Sequence, residues 1–393
     1  MDVAAGASRR ATRALIDLDA IAGNVRAIRA AISSGVQVMA VVKANAYGHG
    51  ARMVSEAALA AGASRLGVAT VDEALQLRLH GINAPIQVLG PVSIAEVETA
   101  AEREIDVSAG SMEFVNGVAL RQSGRPIRVH LKIDTGMRRF GVLPVDALAA
   151  MKALAAAPAV EIAGVFTHFG QADEVDPSPT EAQLRGFNES VAAIRTAGLP
   201  TGLVHAANSA GQLRSRDFDA DLVRLGIALY GLPPSADAPL LPEMRPAMTL
   251  VSRVQRVFPL IPGDGVSYGA TFRAPRPMRA ALIPAGYADG YRRALSNCGE
   301  VVINDHRAPI LGRVCMDQLV VGVPEGVDVV VDNEVTLWGG IGDNAIGVAQ
   351  VAERAGTIAY ELVSGVSARV PRVFLRDGQV VAIEDLTGLH RTR

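Results

Sequence analysis

Between Ala14 and Tyr230 the chain alternates short apolar, β-rich runs with Ala/Leu/Glu/Arg stretches of helical period, and it does so eight times. The strand-like runs are Val36–Lys43, Arg65–Thr70, Pro85–Gly90, Ile105–Ala109, Ile127–Thr135, Ile162–His168, Leu203–Asn208 and Leu222–Leu229. An apolar run of that length bounded by turn residues reads as a strand buried on both faces, the kind found in parallel sheets. Helices are expected between them, over Asp19–Ser33, Ala51–Ala61, Val71–His80, Ile94–Glu102, Val145–Ala156 and Thr180–Ala197. Eight such units in roughly 220 residues predict an α/β chain built on a (β/α)8 barrel of the TIM type, here placed at 13–240. No G-x-G-x-x-G follows the first run, which argues against an open dinucleotide-binding sheet.

The texture then changes. Leu232-Pro-Pro-Ser-Ala-Asp-Ala-Pro-Leu-Leu-Pro is a Pro-rich connector. Beyond it, short Val/Ile/Leu runs cut by Gly, Pro and Asp predict a mostly-β domain over 241–393, with one helix near Ala345–Ala355. Residues 1–12 are expected to associate with that domain. At 393 residues the chain exceeds one ordinary domain, and 38 Lys and Arg against 40 Asp and Glu leave no field to recruit nucleic acid or an anionic membrane. Arg9-Arg10 follows the small-residue start instead of preceding it, the wrong order for a secretory leader. No apolar run reaches the ~18 residues that span a bilayer. Cys298 and Cys315 make neither a disulfide framework nor a zinc site, so no metal is expected. A cytoplasmic enzyme is the expectation.

In a barrel of this kind chemistry collects where strands end. The first run ends in Lys43, with Asn45 and Tyr47 beyond it. The fifth supplies Lys132, Asp134 and Arg139, the sixth His168 and then Asp173. The seventh supplies His205, Asn208 and Ser209, the eighth Arg224 and Gly226. A lysine at the end of a buried strand has two readings. It can run its stem along apolar surface into solvent, or lose its charge and form a Schiff base with a carbonyl cofactor. Its company of arginines, a histidine and hydroxyls on one rim favours the second.

Several motifs give the chain a resemblance. Ile16-Asp-Leu-Asp-Ala-Ile, Ala40-Val-Val-Lys-Ala-Asn-Ala-Tyr-Gly-His-Gly, Asp134-Thr-Gly-Met, Thr167-His-Phe, Val223-Arg-Leu-Gly-Ile-Ala-Leu-Tyr-Gly, Val266-Ser-Tyr-Gly, Gly286-Tyr-Ala-Asp-Gly, Arg313-Val-Cys-Met-Asp-Gln and Arg369-Val-Pro-Arg span almost its whole length. Together they resemble the alanine racemase family, pyridoxal 5'-phosphate enzymes with a barrel followed by a β domain. The resemblance implies that Lys43 carries the cofactor and acts as one catalytic base, with Tyr268 as the other. It implies phosphate contacts from Tyr47, Ser209, Tyr360 and the backbone of Gly226 and Ile227, with Arg224 facing the pyridine nitrogen. Leu89, His168 and Asn208 would line the cofactor. Arg139 would meet both cofactor and substrate, and Met316, Asp317 and Tyr287 the substrate. Lys132 matches a position sometimes carbamylated. A head-to-tail homodimer that shares its sites between subunits is also implied, as is a supply of D-alanine for peptidoglycan.

The chemistry agrees with that assignment. Removing an amino acid's Cα proton needs an electron sink, which pyridoxal supplies. Racemisation needs a proton taken from one face and returned on the other, hence two bases. A guanidinium keeps its proton, so Arg224 at the ring nitrogen would leave that nitrogen unprotonated. The alternatives are a racemase of broader range, a pyridoxal-phosphate decarboxylase of the same plan, and a non-catalytic barrel that carries the cofactor. His49, His80, His130, His306 and His390 are expected on surfaces or strand ends without a chemical role. His205 stands open between packing and site, Cys315 reads as a wall residue, and Trp338 as a packing residue. Arg138 departs from the family pattern, standing where a glycine is common.

Overall fold

The computed structural model describes residues 10–122, 124–340 and 343–392, which form two compact units. One contains Ile21–Ala46 and Ala51–Arg245. Its eight strands are Gln37–Val41, Arg65–Val68, Ile86–Val88, Ile105–Ala109, Ile127–Lys132, Val160–Phe166, Leu203–His205 and Leu222–Leu225. All eight expected strands are present, and each of the first six pairs in parallel with the next, up to Leu203–His205. The first also pairs in parallel with the eighth. Between the seventh and eighth, the N–H groups of Asp221 and Arg224 donate to the carbonyls of Val204 (2.9 Å) and Ala207 (3.1 Å). The sheet therefore closes into a barrel, which removes its edges.

Four of these strands are buried at every residue, as strands covered on both faces must be. The expected helices are present within a few residues, and two that were not anticipated join them, Met112–Ala119 and Ser209–Arg214. Both begin at polar caps. Ser111 Oγ accepts the N–H of Phe114 at 3.1 Å, and Asn208 Oδ1 accepts that of Gly211 at 3.0 Å.

The second unit holds the described residues up to Ala20, Tyr47–Gly50 and Pro246 onward. Its main sheet has eight strands, ordered His306–Pro309, Glu300–Ile303, Glu334–Trp338, Met248–Arg253, Arg13–Asp17, Arg372–Arg376, Gln379–Asp385 and Gly388–Arg391. A three-stranded sheet of Arg256–Leu260, Met278–Ile283 and Leu319–Gly322 accompanies it. The helices are Val348–Arg354 and Ala359–Ser364.

Here the sequence reading needs correction. The barrel does not start at residue 13, because Arg13–Asp17 lies in the second unit's sheet, antiparallel to Met248–Arg253 and parallel to Arg372–Arg376. Pairing across more than 230 residues leaves no local trace, and the strand's alternating burial already departs from a barrel strand. The run expected as one strand over Thr249–Phe258 breaks at Val254–Gln255, where the backbone passes from one sheet to the other. Of the expectation for residues 1–12, residues 1–9 lie outside the described part. Trp338 packs as expected, fully buried and stacked on Tyr291 with centroids 6.2 Å apart.

Candidate active site

The first barrel strand ends in an unusual turn. Ala44, Asn45, Ala46 and Tyr47 all have φ between 50° and 53°, four left-handed residues in succession. Each costs an L-residue about 1–2 kcal/mol, so something must hold the turn. Glu73 Oε1 accepts the N–H of Ala44 at 2.7 Å and Asn45 Oδ1 that of Ala51 at 2.7 Å, while Ala46 N–H donates to the carbonyl of Val42 at 2.8 Å. Lys43 enters this turn half-buried. Burial and the charge of Arg139 lower its pKa from the usual lysine range, with Glu73 opposing. That is the direction an amine needs to act as nucleophile or base near neutral pH.

Glu73 was not foreseen, although Thr70-Val-Asp-Glu73 has the spacing of a capping box. Thr70 does cap its helix, accepting the N–H of Glu73 at 3.2 Å. Instead of closing the box on Thr70, Glu73 takes the N–H of Ala69 at 2.7 Å through its other oxygen.

Lys132, Arg139, His168 and Arg224 stand at the same strand ends. Lys132 is buried, its Nζ 4.7 Å from the ring centre of Phe140 and 5.6 Å from that of Phe166. Burial, then Arg224 and Arg139, push its pKa down to about 8. The Asp134 carboxylate gathers the loop that presents Arg139, accepting the N–H groups of Gly136, Arg138 and Arg139 at 2.9–3.0 Å. Arg138 sits in that loop at φ +56°, which explains why a glycine is the easier residue there.

Arg224 is buried among acceptors. Nη2 donates to the carbonyls of Thr167 and Ala206, both at 2.8 Å, and lies 3.2 Å from His168 Nδ1. Nη1 lies 2.8 Å from His205 Nδ1. Burial pushes this guanidinium down to about 9, still charged at neutral pH. His205 therefore belongs to the site. His130 and His49, expected on surfaces or strand ends without a role, are both fully buried, His130 on a barrel strand enclosed at both faces and His49 in the turn after Tyr47, its Nδ1 2.9 Å from the Tyr47 carbonyl.

At the end of the eighth strand Ser209 Oγ accepts the N–H groups of Gly226 (2.9 Å) and Ala228 (3.3 Å). Asn208 uses its side chain to cap the following helix and to reach the carbonyl of Phe169 at 3.3 Å. Leu89 stands one residue beyond the third strand, close enough to Gly67 that an added Cβ would come within 3.0 Å of it.

The remaining candidates belong to the second unit. Tyr47 and Tyr360 stand together there with ring centres 6.2 Å apart, and burial pushes Tyr47 up to about 12. Tyr268, Tyr287, Met316 and Asp317 line one depression with Ser267, Cys315 and Gln318. Tyr268 is 73% exposed, an unusual state for a tyrosine that contributes nothing to its own core. Ser267 before it has φ 61° and ψ −173°, a conformation nearly reserved for glycine, held by its Oγ donating to the Arg313 carbonyl at 2.6 Å. Tyr287 and Ala288 donate their N–H groups to the carbonyls of Cys315 and Met316, both at 3.0 Å. Gly286 permits that approach, since a Cβ there would fall 2.3 Å from the Cys315 carbonyl oxygen. Buried Asp289 closes the turn by accepting the Gly286 N–H at 3.0 Å and pairing with Arg369 at 2.8 Å, whose other nitrogen pairs with Asp317 at 2.8 Å. Ser267 and Asp289 lie within the motifs Val266-Ser-Tyr-Gly and Gly286-Tyr-Ala-Asp-Gly, but the sequence reading gave neither a role.

Among the described residues no cluster of His, Cys, Asp and Glu could hold a metal ion, and no helix is long and apolar enough to cross a membrane. What the fold and site define is a class, that of barrel enzymes with amine and guanidinium chemistry at the strand ends and a separate β domain. Residues 16–234 match the alanine racemase N-terminal domain and residues 247–374 the alanine racemase C-terminal domain. Alanine racemases of Symbiobacterium thermophilum and Geobacillus kaustophilus are each 44% identical, covering 93% and 95% of this chain and 97% of their own. The crystal structure of alanine racemase from Bacillus anthracis with bound L-Ala-P is 41% identical, covers 97% of this chain and 99% of its own, and superposes with a TM-score of 0.92. The chain belongs to the alanine racemase family, a family of isomerases.

Proposed function

We propose that the protein interconverts L-alanine and D-alanine with pyridoxal 5'-phosphate held at the barrel mouth. The observation that carries this reading is the pair of cations on neighbouring strands. Lys43 ends the first strand with a lowered pKa, and Arg224 is buried in the eighth, which pairs with the first. Arg224 Nε has no hydrogen-bond acceptor among the described residues, so the guanidinium retains a donor suited to a pyridine nitrogen. The mouth also gathers Lys43, Lys132, Arg139 and Arg224, a surplus of positive charge that suits a phosphorylated, phenolic ligand.

Lys43 would hold the cofactor's aldehyde carbon, and Ser209, Tyr47, Tyr360 and the backbone of Gly226 and Ile227 its phosphate. Leu89, His168 and Asn208 would flank the ring. When bound, pyridoxal phosphate supplies the electron sink that lets an amino acid's Cα–H ionise. Arg224, being only a donor, would leave the ring nitrogen unprotonated. Lys43 would take or return the Cα proton on one face and Tyr268 on the other. Arg139 and the Met316 backbone, with Asp317 and Tyr287 beside it, would orient the substrate carboxylate. The exposure of Tyr268 on its strained turn supports a homodimer in which this residue serves the partner subunit's barrel. Cytoplasmic placement and supply of D-alanine to peptidoglycan rest on the family resemblance.

Incubation with L-alanine in heavy water is the test. D-alanine should appear with one solvent deuterium at Cα, and borohydride should fix the cofactor to Lys43 in a peptide map. A reduced adduct on Lys132 would overturn the assignment. Release of carbon dioxide without D-alanine would favour the decarboxylase alternative.

A further inference from the structure

A line of buried polar groups crosses the barrel interior and ends on Arg224. Arg224 Nη1 lies 2.8 Å from His205 Nδ1, His205 Nε2 lies 3.3 Å from His130 Nδ1, and His130 Nε2 lies 3.2 Å from Asp106 Oδ2. These residues come from the eighth, seventh, fifth and fourth barrel strands, and none is more than 3% exposed. At its far end Asp106 also receives Arg128 Nε at 2.8 Å and Arg65 Nη1 at 3.4 Å.

Elementary donor and acceptor counting gives the line a direction. A guanidinium only donates and a carboxylate only accepts, while a neutral imidazole does one of each. His205 must therefore accept at Nδ1 and carry its proton on Nε2. That N–H donates to His130 Nδ1, and His130 Nε2–H then donates to Asp106. Burial favours the neutral form of both rings. The opposite tautomer of His205 would set N–H against N–H at Arg224, at the cost of an unmade buried hydrogen bond.

Two features of the backbone serve His130. The register between the fifth and sixth strands shifts between Val129 and His130, an irregularity that re-aims a side chain. Its partner across the strands is Gly164, where a Cβ would fall 2.2 Å from His130 Nδ1. Gly164 thus makes room for the ring.

We infer that Asp106 and His130 are positioning residues: through His205 they fix the proton arrangement that holds Arg224 as a directed donor at the barrel mouth. The value of that donor for catalysis rests on the function proposed above; the arrangement itself does not.

Protein labelled with 15N-histidine, as purified, tests the arrangement by long-range proton–nitrogen correlation, with signals assigned through His130→Gln and His205→Gln. Both rings should be neutral with the proton on Nε2. A proton on Nδ1, or an imidazolium, in either ring at neutral pH overturns the inference whatever the protein turns over. The second measurement is kinetic. Asp106→Asn should lower kcat roughly 10- to 100-fold, as partners behind a functional ligand commonly do, with KM little changed and the His205 signals shifted. His130→Gln, which keeps a donor and an acceptor, should retain more kcat than His130→Leu, and this pair decides the question if Asp106→Asn does not fold. Variants that lose only thermal stability, with kcat and ring signals unchanged, would show a polar core and no positioning role. Correct tautomers in a protein that does not racemise alanine would support the line of bonds and count against the functional reading.

Discussion

Glu73 and Ala44 are joined by a hydrogen bond of 2.7 Å that reaches from the helix after the second barrel strand to the turn after the first. The other carboxylate oxygen holds Ala69 at the same distance. A carboxylate is required because both bonds need an acceptor. In Glu73→Gln one of them meets an amide N–H instead. Loss of a charge-assisted bond should destabilise the protein by about 1–2 kcal/mol, read from denaturant midpoints. Because the Glu73 charge raises the Lys43 pKa, its removal should move the pH midpoint for modification of Lys43 by an amine reagent to lower pH. A midpoint that stays in place or moves up would show that Glu73 does not act on Lys43.

Lys132 should react with carbon dioxide. An ordinary lysine near pKa ~10.4 leaves about one amine in 2,500 unprotonated at pH 7, whereas a pKa of about 8 leaves about one in ten. The amine nitrogen bonds to the carbon of CO2 and releases one proton, giving a carbamate whose negative charge suits the neighbouring Arg139 and Arg224. The sign for stability also follows. Between about pH 8 and 10 the unfolded chain keeps a proton that the folded amine has lost, so the unmodified protein gains stability as pH rises through that window. Below it the burden of a buried ammonium is present in full. With 13C-bicarbonate, a protein-bound carbamate signal should appear, weaken as pH falls from 8 to 6, and be missing in Lys132→Met. Its absence from the unaltered protein at pH 8 would count against the modification.

Arg138→Gly should stabilise. The residue is exposed and holds φ +56°, where an L-residue is penalised by about 1–2 kcal/mol and glycine is not. Glycine's greater freedom in the unfolded chain returns part of that, leaving a gain of about 0.5–1 kcal/mol. The Arg138 N–H to Asp134, at 2.9 Å, survives the change. Arg138→Ala keeps a Cβ and should show little of the gain. Equal stabilisation by both substitutions would mean that the charge, and not the backbone angle, was the cause.

The strand ends named from sequence, from Lys43 to Arg224, do stand at the ends of barrel strands, because uninterrupted apolar runs carry the barrel's order in plain view. What stayed hidden was non-local. Arg13–Asp17 pairs with strands far along the chain, and no local pattern announces a partner at Met248–Arg253. Glu73 presented itself as a helix cap, since its bond to Ala44 exists only after the strands are assembled. His130 was set aside for the same reason. One histidine in an apolar run gives no sign that His205 and Asp106 stand on either side of it. The left-handed turn after Lys43 was equally invisible, because alanine has no preference for it and the surrounding bonds impose it.

If the proposed homodimer shares its sites, two inactive proteins should restore one another. Lys43→Ala removes the proposed base of the barrel, and Tyr268→Phe removes only the hydroxyl of a residue that is 73% exposed. Neither change should prevent folding, which thermal unfolding will check. Mixed, unfolded and refolded together, half of the dimers should contain one chain of each kind. In such a dimer one site collects both lesions and the other neither, so about a quarter of all sites should be intact. Activity should return toward about a quarter of that of the unaltered protein, and only in the co-refolded mixture. Recovery by simple mixing would instead report rapid exchange of subunits, which sizing at several concentrations would detect. No recovery, with mixed dimers demonstrated by two affinity tags, would mean that Lys43 and Tyr268 act within a single chain.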